Sequence, residues 1–280
     1  MLQFAERFLP LAEARSPLCL GLDPSGELLR QWGLNDDAGG LRRFCDAVLD
    51  VAGDRVAVVK PQSGFFERLG PAGLAEMARA IGRIREQGAL SLIDCKRGDV
   101  GATMVGYAEA MLGGGFGGDA MTVTAYLGFD ALRPVFDRAA AAGAAAFVIV
   151  RASNPEGWPL QGARRADGRT VAEALADDIT AYNAALGPGI GPVCALVGAT
   201  VDRAGASILA RLPQSLILAP GVGAQGASVA DVADHFGPAI RRALPSVSRA
   251  ILRHGPAPAS LRDAIDRYRE QAWRAFSGVI

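Results

Sequence analysis

Short runs of β-branched and apolar residues recur along this chain, each followed by a longer Ala-, Leu- and Arg-rich stretch with apolar residues at helical spacing. That alternation favours parallel strands joined by crossover helices. It predicts strands over Leu18–Leu22, Val56–Lys60, Leu90–Asp94, Ala120–Thr124, Phe147–Arg151, Val193–Val197, Leu216–Ala219 and around Ser248–Leu252. Helices are expected over Leu41–Val51, Gly73–Gln87, Thr103–Met111, Leu132–Ala142, Val171–Ala185 and Asp202–Ala210. Eight strand–helix units in 280 residues match the size of a single (β/α)8 TIM barrel of the α/β class. An open, doubly wound sheet is the other arrangement that such a pattern allows.

No shift of composition divides the chain, so residues 1–280 are read as one domain. The segment 153–170, rich in Gly, Pro, Arg and Asp, is expected as a long loop after the fifth strand, and 257–280 as an amphipathic closing helix. Lys plus Arg and Asp plus Glu each number 29, so no overall basic field draws nucleic acid or an anionic membrane, and an anionic ligand has to be caught locally. Basic clusters are not interleaved with aromatic residues, which again leaves nucleic-acid binding without support. The longest apolar stretch, Ala139–Val150, is too short to span a bilayer, and Met1–Arg15 lacks the pattern of a signal peptide. A cytoplasmic protein is expected. Cys19, Cys45, Cys95 and Cys194 stand far apart with only His235 and His254 as imidazole partners, which suits reduced, buried thiols and no metal site.

The most informative stretch is Leu92-Ile93-Asp94-Cys95-Lys96-Arg97-Gly98-Asp99, where an apolar strand runs straight into charges of alternating sign. In an extended conformation Asp94 and Lys96 project to one face and Cys95 to the other, while Thr103 lies one helical turn beyond Asp99. Taken alone, such a cluster describes many solvated strand-to-helix corners. Two further strands, however, end in charge: Val58-Val59-Lys60-Pro61 and Leu20-Gly21-Leu22-Asp23. Three strands delivering charge at their C-terminal ends converge on the rim where barrel enzymes build their sites. After the seventh strand, Pro220-Gly221-Val222-Gly223-Ala224-Gln225-Gly226 offers glycine N–H groups to an anion, and Ser248-Arg249, placed in the eighth strand, offers a guanidinium suited to phosphate.

These motifs, with Ala152-Ser153-Asn154-Pro155-Glu156-Gly157, resemble in order the orotidine 5′-phosphate decarboxylase family, closest to its longer-chain bacterial members, over about Leu18 to Leu252. The resemblance implies a cofactor-independent carboxy-lyase that turns orotidine 5′-monophosphate (OMP) into UMP in pyrimidine biosynthesis. It further implies that Lys96 protonates C6, that Asp94 opposes the substrate carboxylate, and that Lys60 holds Asp94 and touches the ribose. By the same resemblance Asp23 binds a ribose hydroxyl, Ser153 contacts the pyrimidine, and Gln225 and Arg249 grip the phosphate, with the Gly223 and Gly226 turn beside them. The resemblance also implies that Asp99 and Thr103 reach the neighbouring subunit's site and hence that the enzyme is a homodimer. The register near Arg249 is open, because Arg241, Arg242 and Arg253 lie close by.

Two other readings compete. Some sugar-phosphate lyases and aldolases of similar barrel architecture share a D-x-K-x-x-D strand but bind magnesium, helped by an acidic residue on the second strand. Here Lys60 stands at that place, and a cation there disfavours Mg²⁺. A barrel that only senses nucleotides would lack part of the charge set, yet Asp23, Lys60, Asp94, Lys96 and Asp99 are all present. Trp32, Trp158, Trp273 and His254 are assigned to packing, surface or capping rather than to a site.

Overall fold

The computed structural model describes residues 1–200 and 204–278. Eight parallel strands close into a barrel in chain order. They are β1 (Cys19–Leu22), β2 (Val58–Pro61), β3 (Leu90–Arg97), β4 (Ala120–Val123), β5 (Ala145–Arg151), β6 (Val193–Val197), β7 (Ile217–Pro220) and β8 (Ala243–Val247). Closure is made by β8 pairing back onto β1, with Ser246 opposite Cys19 and Val247 opposite Leu20.

The strands bury both faces because their residues alternate between two apolar compartments. Cys19, Val58, Leu92, Phe147, Cys194 and Leu244 fill the interior, whereas Leu20, Val59, Ile93, Val148 and Ile217 pack outward against the helices. Phe4, Phe8 and Ala12 of an N-terminal helix, Phe4–Ala14, join the interior cluster, with the Phe4 ring edge-on to Phe147 at 6.0 Å between centroids. One end of the barrel is thereby plugged. The open end is the one where the strands finish.

Local signals set the helix starts. Asp37 accepts from the Gly40 N–H at the head of Ala38–Ala52, and Thr170 and Glu173 form a reciprocal capping box ahead of Val171–Leu186. The helix after β7, Val229–Phe236, was not among those expected, although Ser228 and Asp231 form the same kind of box at its start. The helix expected over Asp202–Ala210 is seen over Ala204–Ala210, with Asp202 outside the described residues. Segment 153–170 carries two short turns of helix, Pro155–Gly157 and Trp158–Gln161, and the chain closes with the Pro258–Ser277 helix.

The eighth strand needs correction. It occupies Ala243–Val247, and the Ser248–Leu252 segment expected as strand is a loop residue followed by a short helix, Arg249–Leu252. Pro245 disguised the strand, since a proline cannot donate to a ladder and reads as a breaker. Ala243–Ser246 is nonetheless in register with Ile217–Pro220, so barrel closure overrides local propensity. Arg249 therefore sits past the strand end, at the start of a helix over the barrel mouth. All four cysteines are unpaired and buried, and desolvation pushes the thiols of Cys19 and Cys194 up to about 12. Among the described residues no helix is long and apolar enough to cross a membrane.

Candidate active site

At the open end a cavity of about 290 Å³ is lined by residues from seven of the eight strands or the loops that follow them. Its charged floor is a line of three side chains. Lys60, from β2, donates to Asp94 Oδ2 at 3.0 Å, and Lys96 donates to Asp94 Oδ1 at 2.5 Å. Side chains of Lys60 and Asp94 are only 6% and 7% exposed, whereas that of Lys96 is 45% exposed and faces the cavity.

Burial alone would raise the Asp94 carboxyl, but the ammonium groups of Lys60 and Lys96, with the hydrogen bonds they donate, outweigh it and hold that carboxyl well below the usual carboxylate range. Burial alone would likewise depress Lys60; the negative charges of Asp94 and then Asp23 outweigh it and hold the amine above its ordinary value. Lys60 and Asp94 thus favour each other's charged form, and the Lys96 amine lies against the second carboxylate oxygen.

Simple strand alternation does not bring Asp94 and Lys96 together. Ile93 pairs with Met121 and Arg97 with Val123, so three residues of β3 stand opposite one of β4. Within this bulge Lys96 has φ 46°, the one positive value at a non-glycine position among the described residues. Thr122 sits opposite the bulge, fully buried, and bonds both to Asp94 and to the backbone of Lys96. Its sequence signal is a lone hydroxyl in the apolar strand Ala-Met-Thr-Val. On the other side, Gln62 and Ser63 donate to the main-chain oxygen of Asp94 at 3.0 and 3.3 Å.

Asp23, past the end of β1, and Ser248, past the end of β8, line the wall next to β2. Asp23 Oδ1 and Ser248 Oγ are both buried and lack a hydrogen-bond partner among the described residues. Buried polar atoms without partners at a cavity wall are set to bind a ligand. Gly21 lies between them, where a Cβ would stand 2.5 Å from that of Ser248, so only glycine lets β1 and the Ser248 loop come this close. Ile149 and Leu196 supply apolar wall, and Ser153 and Asn154 border the mouth.

Gln225 and Arg249 both line the cavity at its outer end, and of Arg241, Arg242, Arg249 and Arg253 only Arg249 does so. Arg242 instead donates to the main-chain oxygens of Leu212 and Ser215 below the barrel mouth. The glycines of the turn act otherwise than expected. The Gly223 N–H donates to Ala227 O at 2.7 Å and the Gly226 N–H to Gly223 O at 3.2 Å, so neither is left for an anion. Both have positive φ, at 79° and 94°, and a Cβ on Gly223 would meet that of Ala250 at 2.6 Å. They shape the turn against the Arg249–Leu252 helix. Asp99 and Thr103 do not line this cavity: Asp99 accepts from the Val100 N–H, and Thr103 is exposed on the Gly101–Leu112 helix.

Residues 16–264 match the family model described as Orotidine 5'-phosphate decarboxylase / HUMPS family. The chain is 51% identical over 276 residues to an orotidine 5′-phosphate decarboxylase of Myxococcus xanthus, covering 98% of this chain and 96% of that one. It is 47% identical over 280 residues to the enzyme of the same name from Salinispora arenicola, covering 99% and 100%. A crystal structure from Streptomyces avermitilis superposes with a TM-score of 0.91 at 43% identity over 99% of this chain and 97% of that one. The OMP decarboxylase of Leishmania donovani superposes with a TM-score of 0.82 at 27% identity, covering 99% of both. On sequence and fold together, this chain belongs to the orotidine 5′-phosphate decarboxylase / HUMPS family.

Proposed function

We propose that this protein decarboxylates OMP to UMP and carbon dioxide, the last step of de novo pyrimidine synthesis, and that Lys96 protonates C6 as the carboxylate leaves. The observation that carries the residue roles is the Lys60–Asp94–Lys96 line at the cavity floor. Breaking the C6–carboxyl bond leaves its electron pair in an sp² orbital that the ring does not delocalise, so a fixed cation that is also a proton donor is the chemical need. Lys96 Nζ delivers its proton to that carbon, which gives UMP. With its side chain 45% exposed, Lys96 can be reprotonated from solvent after product leaves.

Asp94 stays ionised beside the substrate's own carboxylate. Two unit charges ~4 Å apart repel by about 4 kcal/mol at an effective dielectric near 20. Enzymatic accelerations require about 8–23 kcal/mol, so ground-state repulsion is one contribution and Lys96 and remote binding supply the others. Asp23 accepts a ribose hydroxyl, Ser153 meets the pyrimidine, and Arg249 with Gln225 holds the phosphate at the outer end. That grip draws the loops 153–157 and 220–226 together, so bare orotidine should lose turnover as well as affinity.

The active form in this reading is a homodimer. Asp99 and Thr103 do not line their own cavity, and Val100 and Val105 close by in sequence expose 55% and 42% of their surface. The adjoining loop after β4, packed on Gly98 through Thr124, exposes Tyr126 and Leu127. An apolar rim of this kind around two polar residues suits a twofold contact that carries Asp99 and Thr103 to the neighbouring site.

The deciding experiment follows the loss of OMP absorbance in buffer containing EDTA, with Lys96→Ala alongside. Chelator-insensitive conversion to UMP that disappears in the variant is expected. No conversion of OMP, with Mg²⁺-dependent turnover of a sugar phosphate in its place, would instead favour a sugar-phosphate lyase of the same architecture.

A further inference from the structure

All three residues of the β3 bulge are tied to one residue of β4. Cys95 Sγ lies 3.5 Å from the Thr122 main-chain oxygen, the Lys96 N–H donates to Thr122 Oγ1 at 2.9 Å, and Thr122 Oγ1 lies 2.8 Å from Asp94 Oδ1. A hydroxyl has one proton and two lone pairs, and here the directions are forced. The Lys96 amide can only donate, so Thr122 Oγ1 accepts from it. The ionised Asp94 carboxylate can only accept, so the hydroxyl proton points to Oδ1. Thr122 is fully buried, so neither bond competes with water.

This polarity matters because Lys96 is held in a left-handed conformation, which L-residues other than Asn and Asp rarely adopt. With the ordinary β3–β4 ladder interrupted between Ile93 and Arg97, the Thr122 hydroxyl replaces a ladder acceptor at the residue whose side chain must meet the substrate. The same oxygen fixes the carboxylate that Lys96 Nζ rests on.

Resting on the decarboxylase reading above, we propose that Thr122 is a positioning residue for the proton donor, setting the backbone of Lys96 and the carboxylate of Asp94 with a single hydroxyl. It touches no substrate. Its loss is therefore expected to fall on kcat while the phosphate end of the site keeps its affinity.

The test compares wild type with Thr122→Val, which keeps the shape and removes the hydroxyl, and with Thr122→Ser, which restores it. Thr122→Val should lower kcat for OMP by about 10- to 100-fold, the loss of a buried hydrogen bond to a charged group, while Kd for UMP stays near wild type. Thr122→Ser should recover most of kcat. Should Thr122→Val fail to fold, Thr122→Ala takes its place in the same contrast. An active wild type with an equally active Thr122→Val, or a folded Thr122→Ser as impaired as Thr122→Val, overturns the inference. A wild type that releases no carbon dioxide from OMP overturns the decarboxylase reading, and this one with it.

Discussion

Lys60 Nζ lies 3.0 Å from Asp94 Oδ2, both side chains shut away from solvent at the end of adjacent strands. Removing one partner of a buried pair leaves the other charged without compensation. Lys60→Met should lower unfolding free energy by about 3–5 kcal/mol as well as impair turnover. Urea denaturation checks this, and an unchanged midpoint would mean that Lys96 alone satisfies Asp94.

The same pair predicts a flat pH dependence. Asp94, lowered in the fold from an ordinary 3.8, contributes stability above that value and loses it as pH falls through its depressed folded value. Lys60, raised from 10.5, contributes below that value and loses it as pH rises through its elevated folded value. Between those limits the pair stays charged in wild type, so the stability difference from Lys60→Met should stay constant between about pH 7 and 9 in urea titrations and narrow toward pH 5 only as far as burial, no longer offset by Lys60, lifts the variant's Asp94 carboxyl. A difference that shrinks toward the alkaline end would mean that Lys60 is neutralised early.

If Asp99 acts in the neighbouring site, two inactive variants should repair each other. Mixing Lys96→Ala with Asp99→Asn after subunit exchange gives hybrid dimers with one intact site. Random assortment then restores up to about a quarter of wild-type activity. A mixture as inactive as its components would mean that Asp99 serves its own subunit's site and not the neighbouring one.

Arg249 and Arg242 stand seven residues apart and should fail differently. Arg249→Ala, at the cavity mouth, is expected to lower kcat/KM for OMP by about 10- to 100-fold with little change in stability, the cost of a charge-assisted phosphate contact. Arg242→Ala removes the donor to Leu212 O and Ser215 O and should lower Tm with little effect on KM. Thermal melts beside steady-state kinetics separate the two, and an Arg249→Ala enzyme with unaltered kinetics would return the phosphate to another group.

Much of this was legible in order along the chain, because barrel strands are short apolar runs and their C-terminal ends carry the chemistry. Asp23, Lys60, Asp94 and Lys96 each stand next to such a run, so residue type and position sufficed to group them. The resemblance implies roles that spacing alone leaves open, such as service of Asp99 in a neighbouring site. Thr122 escaped notice and Ser248 was named only as the neighbour of Arg249, since one hydroxyl in a strand or loop looks ordinary until its partners, or their absence, can be seen.

The sequence by itself determined the strand–helix alternation and the charged ends of the strands, both consequences of local apolar patterning, and it allowed a closed barrel or an open sheet. Only the tertiary structure decided that Pro245 lies inside a strand, that Arg249 begins a helix, and that Lys96 turns left-handed over Thr122. Each of these depends on what a neighbouring strand places opposite the residue: closure of β8 onto β1, the packing of the Gly223 turn against Ala250, and one β4 hydroxyl facing three β3 residues. Local propensity weighs a residue against its sequence neighbours; these outcomes are set by partners dozens of residues away.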